Sequence, residues 1–508
     1  MFLVVIGILS LILAFESPPM SRVHDPGWVL LAVSLATLAP GAAALFVARR
    51  SLSLLDRNPA DPGIGQFYFN RGTSVVHGML GGAHAGALCV TDWMKLTEQA
   101  PLVGDWPLIP GLLTCVPFLL SILIVWIASY PVDRAIRQIA LEAQLFRGKP
   151  VQPVWRMGKY LLFNFRHQVL FILVPMLLIL GARDLILQYE DALNSLMRKL
   201  LGQPSSAAEY PFLPDVLLGA ASVAVALIAP LILRHVWQTS PLPIGPLRDR
   251  LESLCKQLRM RYREILVWQS GGMIVNAAVM GVIAPLRYVL ITDTMIEQMP
   301  DAKIEAVFGH EAGHVKRHHI AFFLLFALIS GCLITIVSIR TRQLGPTTHQ
   351  IATALLGGVL CFKWFVLFGW ISRHFERQAD LFGVRTLTLA GVECQAEHCS
   401  VHTHDASPPA PRDVGRTYFC RTAAHLFGDT LNEVALLNGI TPESRSWRHG
   451  SIALRSRIVQ KYALDPREAA RFERRVRNIK LGIVLAAVVG SLWAGWDMKL
   501  WALLGIAT

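Results

Sequence analysis

The stretch VFGHEAGHVKRHH, residues 307–319, sets four histidines among the ten residues from His310 to His319, beside a long hydrocarbon run. His310 and His314 are four apart, so on a helix both rings leave one face, a turn from each other. Nitrogens placed that way can reach one ion at about 2.0–2.1 Å. Glu311 lies next on the surface, close enough to touch a metal-bound water but not set as a third ligand. His-Glu-x-x-His is a zinc and general-base arrangement. Gly313 costs roughly 1 kcal/mol relative to alanine inside a helix, which makes sense if another backbone, or a substrate, passes close. His318 sits about 6 Å further along the axis and cannot share a tetrahedral ion with the other two. It reads as an interfacial histidine, with Lys316 to His319 marking the water–lipid boundary.

A five-residue match recurs by composition alone, so a third ligand decides the matter. Downstream, SRHFERQAD supplies Glu376 and Asp380, again four apart. Glu376 would complete a two-His, one-Glu catalytic zinc site with a fourth position left to water. Asp380 would accept the spare ring N–H of a ligand histidine and fix its tautomer. Taken alone this is an ordinary charged helix face; paired with the histidine motif it becomes a ligand set. The expected cofactor is one Zn2+ per chain, with Glu311 moving the proton of the attacking water.

VFGHEAGHVKRHH, SRHFERQAD, the upstream VNAAVMG and LRYVLITDTMI, and the late WRHGSIALRSRI resemble, in that order, the membrane-embedded gluzincin peptidases. These are the CAAX prenyl endopeptidase and HtpX-like group. The resemblance covers about residues 245–460. It implies a substrate-binding edge strand at Asn276 and Ala277, which would pair with an extended peptide through main-chain hydrogen bonds. It also implies that His449 helps stabilise the oxyanion. Two features depart from the family: Gly450 stands where a proline usually follows that histidine, and residues 394–420 form a Cys/His-rich insertion.

These residues need a scaffold. Of 508 residues, 53% are apolar and only 16% charged, below the quarter or so usual in soluble chains. The apolar residues lie in runs near the length, about 20 residues, that spans a bilayer. Candidate spans are 2–15, 27–48, 74–94, 107–131, 160–182, 212–233, 320–340, 351–372 and 479–495. The first resembles a signal peptide but lacks a basic n-region and a small-residue cleavage site, so it is kept as a helix. The third is weakened by His77, His84 and Asp92. Arg49, Arg50, Arg57 and Arg71 follow the second span, and Arg134, Arg137, Arg147, Lys149, Arg156 and Lys159 follow the fourth. Both loops read as cytoplasmic, which requires the weak third span to be real. Residues 183–211, with three basic and four acidic side chains, suit an outside loop. The net charge of +13 is then a topology signal, and nucleic-acid binding is set aside.

The fold class expected is mainly α: a polytopic, multi-helix transmembrane bundle with a cytoplasmic zincin-like catalytic domain containing a small β-sheet. Its parts are an N-terminal transmembrane region (1–240), a first catalytic segment with edge strand and zinc helix (241–319), a transmembrane hairpin (320–372), a second catalytic segment (373–478) and a C-terminal helix and tail (479–508). In the first catalytic segment PLRDRLESLCKQLRMRYREILVW has helical spacing of its leucines. MIVNAAVMGVI and LRYVLITDTMI read as short strands, and Asp301 is an expected N-cap. Cys89, Cys115, Cys332 and Cys361 fall in apolar segments, where a thiol packs as a small hydrophobe. Cys394, Cys399 and Cys420, with His398, His402 and His404, have the types for a second metal. Their spacing fits no standard structural zinc pattern, and the segment reads as an exposed cytosolic insertion.

The function expected is a membrane zinc endopeptidase whose partners are the lipid bilayer and peptide or membrane-protein substrates, prenylated or misfolded, at a bacterial inner membrane. A non-catalytic scaffold or transporter with a structural zinc is the alternative. An intramembrane protease of the site-2 class would need an Asn-Pro-Asp-Gly-like third-ligand segment, which is missing, and residues 301–319 are too polar to lie in lipid.

Overall fold

The computed structural model describes residues 22–59, 61–101, 109–146, 154–201, 213–342, 344–396, 399, 401–402 and 418–497. Seven helices among them are long and apolar enough to cross a membrane: Pro26–Arg57, Ile109–Ile139, Met157–Gln188, Val216–Val236, His319–Thr341, Thr347–Leu389 and Pro466–Asp497. Each overlaps one of the spans expected from the sequence. The span at 2–15 lies outside the described residues. That at 74–94 falls in a helix, Gly63–Val90, which is not among the seven.

The chain divides between Ala226 and Leu227 into two compact units. In the first, Pro26–Arg57 (α1), Gly63–Val90 (α2), Trp93–Glu98 (α3), Ile109–Phe146 (α4), Met157–Asn164 (α5), Phe171–Gln188 (α6) and Glu190–Leu201 (α7) follow one another, a π segment joining α5 to α6. Asp25 caps α1 by accepting from the amides of Gly27 and Trp28 at 2.9 and 3.1 Å. Residue His84, one of the polar groups that weaken α2 as a span, is buried with its ring 4.7 Å from that of Phe118. The boundary between the units falls within Leu213–Val236 (α8).

The second unit opens with a four-stranded sheet of order β1-β2-β4-β3, formed by Thr239–Pro241 (β1), Glu264–Trp268 (β2), Ala277–Met280 (β3) and Tyr288–Thr292 (β4). The pair β2 and β4 is parallel; the outer pairs are antiparallel. Side chains alternate across a strand. Ile265 and Val267 therefore pack with Leu251, Leu254, Met295 and Phe308, while Leu266 and Trp268 pack on the other face with Tyr288 and Leu290. The helix expected to run through REILVW stops early: Pro246–Gln257 (α9) ends, and Arg259 takes a left-handed φ of 49°. A short run apolar on both faces suits a central parallel strand, and that burial overrides the leucine spacing upstream.

After Asp293–Gln298 (α10), the helix Asp301–Lys316 (α11) carries the histidine motif. Its N-cap is Pro300, not Asp301. Asp301 is the first helical residue, where an acid still favours the positive end of the helix. This helix does not run straight on into the next. Arg317 ends it, His318 has φ 56°, and His319–Arg342 (α12) starts afresh. Pro346–Phe362 (α13), a π segment at Lys363–Phe368 and Gly369–Leu389 (α14) then form one continuous helical rod, which carries Glu376 and Asp380. Arg421–Leu437 (α15), a two-stranded ribbon of Arg445–Ser446 (β5) and Gly450–Ser451 (β6), Ile452–Leu464 (α16) and Pro466–Asp497 (α17) complete the unit. Much of the insertion expected at 394–420 lies outside the described residues, as do His398 and His404. Cys399 and Cys420, expected in an exposed insertion, are 3% and 0% exposed in the core beside α14 and α15.

The backbone that passes close to Gly313 belongs to α14. A Cβ there would lie 2.9 Å from Phe382 Cβ and 3.1 Å from the Ala379 Cα, and one at Gly309 would lie 3.0 Å from Thr386 Cβ. Overpacking a tight contact costs typically 1–3 kcal/mol. Gly313→Val is expected to lower the unfolding temperature in detergent and to reduce bound metal. Gly331→Ala, on α12 with nothing within 4 Å, should be neutral or stabilising by up to about 1 kcal/mol. Equal thermal behaviour of the two variants would contradict this packing.

Candidate metallopeptidase site

The α11–α14 contact brings the two histidines and the downstream acid together. One donor atom from each of His310, His314 and Glu376 lies within 4.8 Å of the others. The two Nε2 atoms are 3.2 Å apart, and each lies 3.7 Å from an oxygen of Glu376. Ligands at about 2.05 Å on a tetrahedral ion stand about 3.3 Å apart, so the cluster is already near that shape. His310 Nδ1 is 2.9 Å from Asp380 Oδ1, the contact expected of a tautomer-fixing carboxylate.

A chain of buried groups does the same for His314. Lys480 Nζ, which can only donate, gives a hydrogen bond to Gln378 Oε1 at 2.9 Å, and Gln378 Nε2 donates to Glu473. Oε1 of Gln378 is therefore an acceptor, and His319 Nε2 donates to it at 2.9 Å. Neutral His319 then offers the lone pair of Nδ1 to His314 Nδ1–H, 3.0 Å away. Each step leaves one choice, and the last leaves the Nε2 lone pair of His314 facing Glu376. His319, expected at the water–lipid boundary, is instead fully buried, its ring stacked on Phe375 at 4.4 Å. The break at Arg317–His318 turns it inward, while His318 stays exposed.

Burial lowers the pKa of His314 to about 4 against the pull of Glu376, so the ring is neutral, as a ligand must be. For His310 burial also disfavours the charge, but the Asp380 carboxylate 2.9 Å away wins and raises its pKa. A histidine held by a carboxylate is a more basic ligand. Glu311 is pushed up to about 7 by burial, opposed by His310, while Glu376 adds to the rise. That is near the optimum for a proton carrier at neutral pH. The donor set and its oriented lone pairs fit a zinc ion.

Sequence reasoning missed Arg455. It is 6% exposed, grips Asp380 through Nε and Nη2 at 2.9 and 2.6 Å, and lies 3.4 Å from Glu376. Its only prior signal was a place in WRHGSIALRSRI, with the partner 75 residues away. His449 Nδ1 lies 3.0 Å from Glu376 Oε2, with its side chain 45% exposed. Gly450 follows at φ 75°, a conformation closed to proline, so the turn here differs from one with proline. Asn276 is exposed and precedes β3; Ala277, its first residue, is buried. β3 pairs only with β4 among the described residues.

Residues 242–420 match the model of peptidase family M48, and the relatives agree. A CAAX prenyl protease 1 homolog of Arabidopsis thaliana is 32% identical over 199 residues, covering 35% of this chain and 46% of that protein. A protease HtpX homolog of Albidiferax ferrireducens is 30% identical over 122 residues, 21% of this chain and 41% of that protein. The chain thus spans about half the length of the curated relatives it matches. The crystal structure of S. mikatae Ste24p aligns over 86% of this chain and 100% of that one, with a TM-score of 0.43 at 16% identity.

Loss of a group that orients a metal ligand typically weakens affinity 10–100-fold. His319→Ala is expected to weaken zinc binding by about that much, whereas His318→Asn, which tolerates the left-handed conformation, should leave it unchanged. Competition with a calibrated chelator measures both; equal affinities would remove His319 from the site.

Proposed function

We propose that the chain is a membrane-integrated, zinc-dependent endopeptidase acting on peptides held at the bilayer. The observation that carries this reading is the convergence of His310, His314 and Glu376 beside Glu311 and the free edge of β3. Zinc, when bound, polarises a scissile carbonyl and acidifies water. In this reading His310, His314 and Glu376 hold it, and Asp380 and His319 keep the two rings aimed. Glu311 takes the water proton and passes it to the leaving amine. An extended peptide laid along Asn276 and Ala277 would add a strand to β3 and pass the Glu311 carboxylate. His449, 3.0 Å from Glu376 Oε2, would support the developing oxyanion. A non-catalytic scaffold with a structural zinc would not need Glu311, and no feature of the site favours it.

The basic loops after the second and fourth expected spans support a cytoplasmic site. The setting that goes with this reading is a bacterial inner membrane, with prenylated peptides or misfolded membrane proteins as substrates. Because α11 breaks before α12, the distance of the metal from the lipid is not set by one straight helix axis.

Glu311→Gln should retain zinc but lose peptide hydrolysis by at least about 100-fold, the scale of general-base catalysis. Full activity with zinc confirmed by elemental analysis would refute the mechanism. Cysteines placed at Lys256 and Thr348, in a background without native thiols, test the orientation. An impermeant reagent added outside should label position 348 and spare 256; the reverse pattern would overturn the cytoplasmic assignment.

A further inference from the structure

The geometry points to a second metal site: Cys394, Cys399, His402 and Cys420 form a closed Cys3His shell for a structural zinc ion. One donor atom from each of the four lies within 4.8 Å of all the others. Zinc–sulfur bonds of about 2.3 Å put two tetrahedral thiolates about 3.8 Å apart, and a thiolate and an imidazole about 3.6 Å apart. Cys399 Sγ and His402 Nδ1 are 3.5 Å apart.

The chain is shaped around these atoms. After α14 it turns at Gly391, φ 76°, and runs past Cys394. The His402 amide donates to the Cys399 carbonyl at 3.1 Å, closing a short turn between two of the donors. Cys420 is the N-cap of α15, and its amide donates to Thr388 Oγ1 of α14 at 3.1 Å. Thr422 donates to Cys394 Sγ at 3.8 Å.

Ordinary core packing explains buried thiols among Phe419, Ala423 and Ala424. It does not call for an imidazole on one sulfur and four donor atoms drawn to one point. Such a cluster suits thiolates, and a thiolate in a core needs a cation. Three thiolates and one imidazole select zinc by softness and geometry, and four protein donors leave no open position for chemistry. Binding would release the thiol protons to solvent. The site is separate from the His310 cluster and would fasten the end of α14 to the start of α15.

Metal analysis of the full-length protein, purified in detergent under reducing conditions, tests this. Wild type should hold two zinc equivalents. His310→Ala/His314→Ala should keep one, and Cys394→Ser/His402→Ala should keep the other. Cobalt loaded into the first variant should show thiolate-to-metal charge-transfer absorption, absent from the second. Should the second variant fail to fold, alkylation of wild type serves instead: Cys399 and Cys420 should react only after chelation. One equivalent in wild type that is lost in His310→Ala/His314→Ala, a disulfide within the cluster, or alkylation unchanged by chelation would each overturn the site.

Discussion

The close approach of α11 and α14 is the constraint on which the site rests. Glu376 reaches the histidines only because Gly309 and Gly313 present no side chain to Thr386, Ala379 and Phe382. The glycine in the motif is thus a packing device first. A helix interior accepts roughly 1 kcal/mol of lost propensity in return for a ligand set drawn from two segments far apart in the chain.

That approach also buries charge, which must be balanced. Asp380 is fully buried between His310 and Arg455, and Glu376 lies among His310, His314, His449 and Arg455. Two carboxylates share one guanidinium here, with the His310 imidazole beside Asp380 as the nearest further source of positive charge. Unpaired buried charge is expensive, and a divalent cation at the convergent nitrogens relieves it. The bidentate grip of Arg455 holds Asp380 whether or not a metal is present.

Most of the helical scaffold is legible from hydropathy, since length and composition govern what spans a bilayer. His310, Glu311, His314, Glu376 and Asp380 are legible because spacing on a helix fixes direction. The rest is hidden for a shared reason. His319, Gln378, Lys480 and Arg455 act through contacts between distant segments, which leave no period in the sequence. His319 misleads because a helix that looks continuous is turned by one left-handed residue. REILVW misleads because leucines upstream set a helical rhythm that burial in the sheet overrules. At residues 394–420 an unfamiliar spacing hides a cluster that only the return of the chain at Cys420 completes.

The π segment at Lys363–Phe368 has its own consequence for the carboxylates beyond it. Such a turn holds one residue more than the α-helix around it, and each residue rotates the helix beyond it by about 100°. Glu376 and Asp380 lie on the same uninterrupted rod as this segment, so their compass bearing about the axis is set inside the apolar stretch. The extra residue works as a phase shifter: without it the two acids would turn away from the histidines, though every residue of the ligand motifs were still in place.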